Sequence, residues 1–271
     1  MDSPELWLQG GLVFVLGACI GSFLNVVIYR VPAGISLLHP PSRCPHCKTR
    51  LKAYDNVPIL GWLWLKGRCR YCHSSISVRY PLIEAVTAVL FVLTYLKFGW
   101  TLQTLGYCLF LSWLLALTMI DLDLMILPNP LTQSGVIAGW IFQGAIAFSQ
   151  TPTWVGVCQG VIGAFVASII GLWLFDAIRI VGAWVFNQDA MGGGDPKLAA
   201  MIGAWLGSPL MLVASFLACL VGSVIGIGGI ALGLLGRRQA IPFGPYLALG
   251  AALSAFFGTS LIALYRSWIG L

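Results

Sequence analysis

Residues 197–235 read KLAAMIGAWLGSPLMLVASFLACLVGSVIGIGGIALGLL, with Lys197 the single charged residue. We read them as two membrane-crossing stretches, 197–207 and 210–235. Similar apolar windows lie near 8–29, 82–97, 102–120, 131–148 and 156–176, and again at 246–265. Crossing the hydrocarbon takes roughly 20 such residues at about 1.5 Å each. The whole chain agrees: of 271 residues 59% are hydrophobic and 9% charged, and the mean hydropathy is +0.90. No ordinary soluble domain has that composition. The expectation is an all-α polytopic membrane protein of about eight transmembrane helices. The first window is not a cleaved signal peptide, since it follows the acidic MDSPE and ends in VVIYRVP without a small-residue cleavage pattern.

Cations orient these spans. Arg30, Arg43, Lys48, Arg50, Lys52, Lys66, Arg68, Arg70 and Arg79 fall in the first long loop, and Arg179, Lys197, Arg237 and Arg238 in alternate later loops. Only Lys97 and Arg266 fall on the other side. The positive-inside rule places the long loop in the cytoplasm and both termini outside. That loop also accounts for the net charge of +6, and no nucleic-acid module accompanies it. The organisation expected is therefore a first transmembrane helix at 1–29, a cytoplasmic loop subdomain at 30–80 and a transmembrane bundle at 81–271.

The loop carries CPHC at 44–47 and CRYC at 69–72. Four thiolates in two such knuckles, Cys44, Cys47, Cys69 and Cys72, suit the tetrahedral demand of structural zinc. A reducing cytoplasm disfavours disulfides there. A complete four-sulfur set leaves His46 and His73 as bystanders. Cys19, Cys108, Cys158 and Cys219 stand singly in apolar spans, where small buried packing roles are expected. Trp62 and Trp64, with Leu60 and Leu63, suggest that part of the loop lies against the membrane interface.

Only nine carboxylates are present, and Glu84, Asp121, Asp123, Asp176, Asp189 and Asp195 lie within or beside apolar spans. An ionised group there costs a few kcal/mol, so it has a partner or a task. Asp121 stands where an inward-running helix ends before Pro128, and Asp195 starts another helix on the same side. Two such carboxyls can meet, share one proton and activate a water, the requirement of aspartyl proteolysis. The glycines before Asp195, in GGGD, remove side chains and permit unusual backbone angles, so that a substrate backbone can pass close. The same motif also reads as a plain helix start with Asp in its dipole-favoured first turn.

Several motifs occur in order: GSFLNVVIYRVP, RCPHC, DNVPILGW, GRCRYC, SVRYPLIEA, IDLDLMILPN, MGGGDPKLAAMIGAWLG and IPFGPYLALGA. Together, over roughly residues 10–255, they resemble the bacterial type IV prepilin peptidases of the GxGD aspartyl protease class. That resemblance implies a bifunctional inner-membrane enzyme. Such enzymes cleave the basic leader of prepilins or type II secretion pseudopilins after glycine, then N-methylate the new terminal residue, usually Phe, with S-adenosylmethionine. The family's catalytic aspartates fall on Asp121 and Asp195, with Asp123 the neighbour most easily confused with the first. Asn129 stands where many members have Asp. The termini would then be periplasmic, and the zinc loop and aspartates cytoplasmic.

No Gly-x-Gly-x-x-Gly follows a strand, so the methyl-donor pocket is not a Rossmann one. Glu84 either contacts the new amine or the sulfonium, or pairs with Arg79 or Arg30 to staple the loop to the bundle. Asn25 and Arg30 line a pocket or, for the arginine, snorkel. Asp176 and Asp189 read as interfacial, with Arg179 the i,i+3 partner of Asp176. Two other classes compete: a proton-coupled transporter, which needs repeated halves not seen here, and a membrane scaffold whose acids only bind helices together.

Overall fold

The computed structural model describes residues 4–186, 191–234, 236 and 241–270, and Asp189, Arg237 and Arg238 lie outside them. In chain order the helices are α1 (Pro4–Arg30), a 3-10 turn (Ala53–Asn56), α2 (Leu60–Trp64), α3 (Arg79–Phe98) and α4 (Leu102–Leu124). They continue as α5 (Asn129–Gln150), α6 (Trp154–Phe186), α7 (Asp195–Ala231) and α8 (Gly244–Trp268). Seven of them are long and apolar enough to cross a membrane. Two compact units divide the chain inside α4, at residues 1–112 and 113–271.

In the first unit α1 and α3 run antiparallel at close range. A Cβ on Gly21 would stand 2.6 Å from the Glu84 Cα, and one on Gly17 would stand 2.7 Å from the Ala88 Cα. Glycines four residues apart thus let two backbones touch, the usual device where lipid gives no hydrophobic drive between helices. Val13, Phe91, Tyr95 and Cys108 form the core beside them, and the Tyr95 hydroxyl donates to Gln9 Oε1.

The second unit is built around residues 195–206, of which only Lys197 is exposed. Gly203 packs on the Ala167 carbonyl and Gly171 on that of Ala199, so α6 runs antiparallel to this segment. Gly135 faces Met201 and Gly139 faces Ala204, so α5 runs parallel to it. At Gly207 (φ 76, ψ 168) the helix breaks. Beyond the break, Leu210 meets Gly258, Ala214 meets Gly250 and Gly222 meets Tyr246. The second arm of α7 therefore returns toward the end from which the first arm left, and α7 is a helical hairpin. The expected pair of stretches is present as these two arms, although by length alone α7 counts once.

Reversal inside an apolar bundle frees backbone groups that must be satisfied by protein. Pro209 lacks the N–H that would reach the Trp205 carbonyl four residues back. Gln143 Nε2 donates to that carbonyl at 2.6 Å, and the Ser254 hydroxyl donates to the Leu210 carbonyl at 2.8 Å. Trp205 itself donates to the Gly135 carbonyl at 2.8 Å and stacks on Phe142.

Two expectations change. The fifth window was drawn to 176, whereas α6 runs on to Phe186. Arg179 pairs with Asp176 at 2.8 Å one turn on, so the charges satisfy each other without ending the helix. Of the lone cysteines only Cys108 is buried, while Cys19, Cys158 and Cys219 are exposed. A lipid-facing surface tolerates an outward thiol as readily as the outward Trp173, Phe216 and Ile227.

Candidate functional site

Asp121 lies in the last turn of α4, which closes when Met125 takes φ 53 and donates its N–H to the Asp121 carbonyl at 2.9 Å. Pro128 and Pro130 then start α5. Asp195 is the first residue of α7, its N–H bonded to the Gly192 carbonyl at 3.2 Å. Both side chains are buried, at 5% and 4% exposure, in a unit with almost no other acids so placed. A Cβ on Gly194, the residue before Asp195, would stand 2.7 Å from the Cβ of Leu127, six residues after Asp121, so the end of α4 and the start of α7 meet. The structure thus brings together the two aspartates that the sequence singled out. Asp123, two residues on, is exposed.

A third element completes this site. The backbone N–H of Gly244, first residue of α8, donates to Asp121 Oδ2 at 3.0 Å. A Cβ there would stand 2.5 Å from the same oxygen. Gly244 belongs to the IPFGPYLALGA motif, the only signal the sequence offered for it. Phe243 beside it faces Phe175 of α6, giving the site an apolar wall. Nearby, Lys197 donates to Asn129 Oδ1 at 2.7 Å and ties the starts of α7 and α5.

Of the two things expected of the GGGD glycines, room and unusual backbone angles, only the room is present. Gly194 has φ −85, and neither Gly192 nor Gly193 has positive φ. Space is what they provide: a Cβ on Gly194 would stand 2.7 Å from Leu127 Cβ, and one on Gly192 would stand 3.5 Å from Asp195 Oδ2. Around Gly193 there is open room.

The four knuckle cysteines converge, all sulfurs within 4.8 Å of one another. Cys44 and Cys72 sulfurs lie 3.8 Å apart, and those of Cys47 and Cys69 lie 4.0 Å apart. A tetrahedral ion with bonds of about 2.3 Å requires sulfur separations of about 3.8 Å. The knuckles repeat one another: the Cys44 and Cys69 N–H groups bond the Thr49 and Ser74 carbonyls, and their carbonyls accept from Lys48 and His73. Ser74 holds the Cys72 thiol at about 6, by its hydroxyl and then its backbone N–H, which favours the metal-binding thiolate. Neither His46 nor His73 joins the cluster.

The other residues considered for a role are engaged in building the loop. Glu84 is buried, and its Oε2 accepts the Ile59 N–H at 2.6 Å. Ile59 has φ 60, a rare conformation for a β-branched residue. Arg30 does not snorkel: buried at the end of α1, it donates to the carbonyls of Ser36 and Leu37 and of Pro40. Asn25 donates to the Tyr80 carbonyl at 3.2 Å.

Comparison with known proteins accounts for this arrangement. The chain matches the bacterial peptidase A24 N-terminal domain over residues 15–98 and the type IV leader peptidase family over 108–227. It is 38% identical to a prepilin leader peptidase/N-methyltransferase of Aeromonas salmonicida strain A449, across 97% of this chain and 96% of the relative. The chain belongs to the type IV leader peptidase family. A second relative of that description, from Aeromonas hydrophila, is 38% identical over 96% of this chain and 94% of its own. One from Pectobacterium carotovorum subsp. carotovorum is 36% identical over 91% and 92%. No solved structure matches the chain. As a leader peptidase the protein is a membrane enzyme, multi-pass and of the inner membrane. Both buried aspartates fall within the peptidase match, and all four cysteines within the N-terminal one.

Proposed function

We propose that this protein removes the basic leader of type IV prepilins or type II secretion pseudopilins after glycine, then N-methylates the exposed residue with S-adenosylmethionine as donor. Asp121 and Asp195 are the catalytic dyad. The observation that carries this is their joint burial at one end of the second unit, where the start of α7 packs on the turn that follows α4 through Gly194 and Leu127. Membership of the family favours neither the scaffold nor the transporter reading.

In the proposed mechanism the dyad holds one proton between two carboxyls. The ionised member takes a proton from water as its oxygen attacks the glycine carbonyl. The protonated member hydrogen-bonds the developing oxyanion, and collapse of the tetrahedral intermediate sends a proton to the leaving nitrogen. Gly244 fixes Asp121 for this by its N–H. The open room at Gly193 admits an extended peptide beside Asp195.

Cys44, Cys47, Cys69 and Cys72 are assigned to one structural zinc, which holds the loop at 30–80 in shape and supplies no chemistry to the dyad. The loop lies between a first span at 1–29 and a peptidase bundle at 81–271, with the loop and aspartates cytoplasmic and both termini periplasmic. S-adenosylmethionine supplies an electrophilic methyl group to the new amine. Glu84, Asn25 and Arg30 are each engaged with backbone groups, so none is assigned to holding it.

The test is cleavage of a purified prepilin with a Gly-Phe junction, in detergent, by wild type, Asp121→Asn and Asp195→Asn, with zinc measured in each. Loss of cleavage in both with zinc retained supports the dyad. Full activity in either removes that aspartate from the mechanism.

A further inference from the structure

The loop contains an apolar ridge that nothing within its unit covers. α2 turns Gly61 and Trp62 inward: a Cβ on Gly61 would stand 2.7 Å from the Asp55 carbonyl oxygen, and Trp62 Nε1 donates to the Ile76 carbonyl at 3.0 Å. Its other face is bare, with Leu60 at 63%, Leu63 at 56% and Trp64 at 84% exposure. Spacing of i, i+3 and i+4 puts these three on one side.

Two further observations say what the ridge meets. The first is its depth. The N–H of Ile59, the residue before α2, is held by Glu84, five residues inside α3 and thus about 8 Å along it. At that level α1 and α3 are already packed together through Gly21. The ridge therefore starts alongside the membrane-helix pair, not out at the tip of the loop. The second is charge. Behind Trp64 lies a cavity of about 560 Å³ whose rim includes Lys66, Arg68, Arg70 and His73. Arg70 is drawn to Asp55 at 2.6 Å. Lys66, Arg68 and His73 stand exposed around the opening.

We infer that α2 is an interfacial anchor: Leu60, Leu63 and Trp64 enter the bilayer surface, and the cavity edged by Lys66, Arg68 and His73 takes the headgroup of an anionic phospholipid. An aromatic and two leucines beside basic residues match the layered polarity of that interface, and each cation near an anionic surface adds attraction. The same contact bears on substrate capture. The leaders expected for this family are basic and the loop is basic too, so bound anionic lipid would supply the missing counter-charge.

The test uses the full chain in bilayer discs of phosphatidylcholine, alone or mixed with phosphatidylglycerol, with a photoreactive benzophenone amino acid replacing Trp64. The expected result is crosslinking to lipid, with phosphatidylglycerol captured severalfold above its share of the bilayer. That enrichment should disappear in Lys66→Gln/Arg68→Gln/His73→Gln and fall with added salt in the parent. Zinc content and hydrogen–deuterium exchange across the loop, measured in parallel, separate a lost lipid contact from a misfolded loop. Should the triple variant misfold, the salt dependence of the parent decides alone. Capture of water or protein in place of lipid overturns the anchor. Lipid capture without preference for the anionic headgroup, or with a preference that salt leaves unchanged, overturns the headgroup site.

Discussion

The backbone N–H of Gly244 meets Asp121 Oδ2 at 3.0 Å, on a residue where no side chain fits. Gly244→Ala keeps the N–H yet drives a methyl group into the carboxylate, shifting it by a substantial part of an ångström. Misplacement on that scale costs on the order of 100-fold in rate. We expect kcat for prepilin cleavage to fall by that order while the thermal unfolding profile in detergent changes little.

The hairpin of α7 gives a stability prediction. Gln143→Leu removes the amide that donates to the Trp205 carbonyl at 2.6 Å, a carbonyl that Pro209 has no N–H to serve. Loss of one such hydrogen bond costs about 0.5–1.5 kcal/mol. Gly207→Ala forces a Cβ onto φ 76, ψ 168, a conformation worth about 1–3 kcal/mol of strain. Each variant should melt earlier in detergent, and the pair, sharing one turn, should not be additive.

Metal analysis tests the knuckles. We expect one zinc per chain, and near-complete loss in Cys44→Ser and in Cys69→Ser alike, since each knuckle supplies half of a closed set. Amide exchange should accelerate across the loop, including the bonds from Cys44 to Thr49 and from Cys69 to Ser74. Because both aspartates lie in the second unit, cleavage should survive zinc removal better than loop protection does.

Glu84 carries a fourth prediction. Glu84→Ala removes the acceptor of the strained Ile59 N–H, and hydrogen–deuterium exchange should rise sharply over residues 55–65. Glu84→Gln keeps an acceptor oxygen of the same reach and should restore most of the protection. If alanine leaves exchange unchanged, the carboxylate does not hold the turn.

Much of this was legible because charge is scarce. Asp121 and Asp195 stood out against an apolar background, and four cysteines in paired knuckles pointed to the one cluster that they form. Less was readable where backbone decides the outcome. Nothing in the sequence announces that Ile59 takes positive φ, or that Arg30 turns back to gather the carbonyls of Ser36, Leu37 and Pro40. Gln143 left a fainter trace, an amide midway along an apolar span, but its partner is a carbonyl that a proline 66 positions later (209 − 143) cannot serve. GGGD was recognised, and of its glycines it is Gly194 that is needed, for room beside Leu127 and not for an unusual angle.

The room at Gly193 lies where α7 begins, next to Gly194, which packs on Leu127 in the turn after α4. With Asp121 and Asp195 as the proposed dyad, both at helix ends, a substrate would have to present its scissile bond in a stretch that has left its own helix. On that proposal the enzyme would measure how far the pilin chain emerges from the apolar layer before it straightens. The cut position is in that sense gauged like a depth on a ruler, and a prepilin with its apolar segment lengthened should be offered to the dyad out of register.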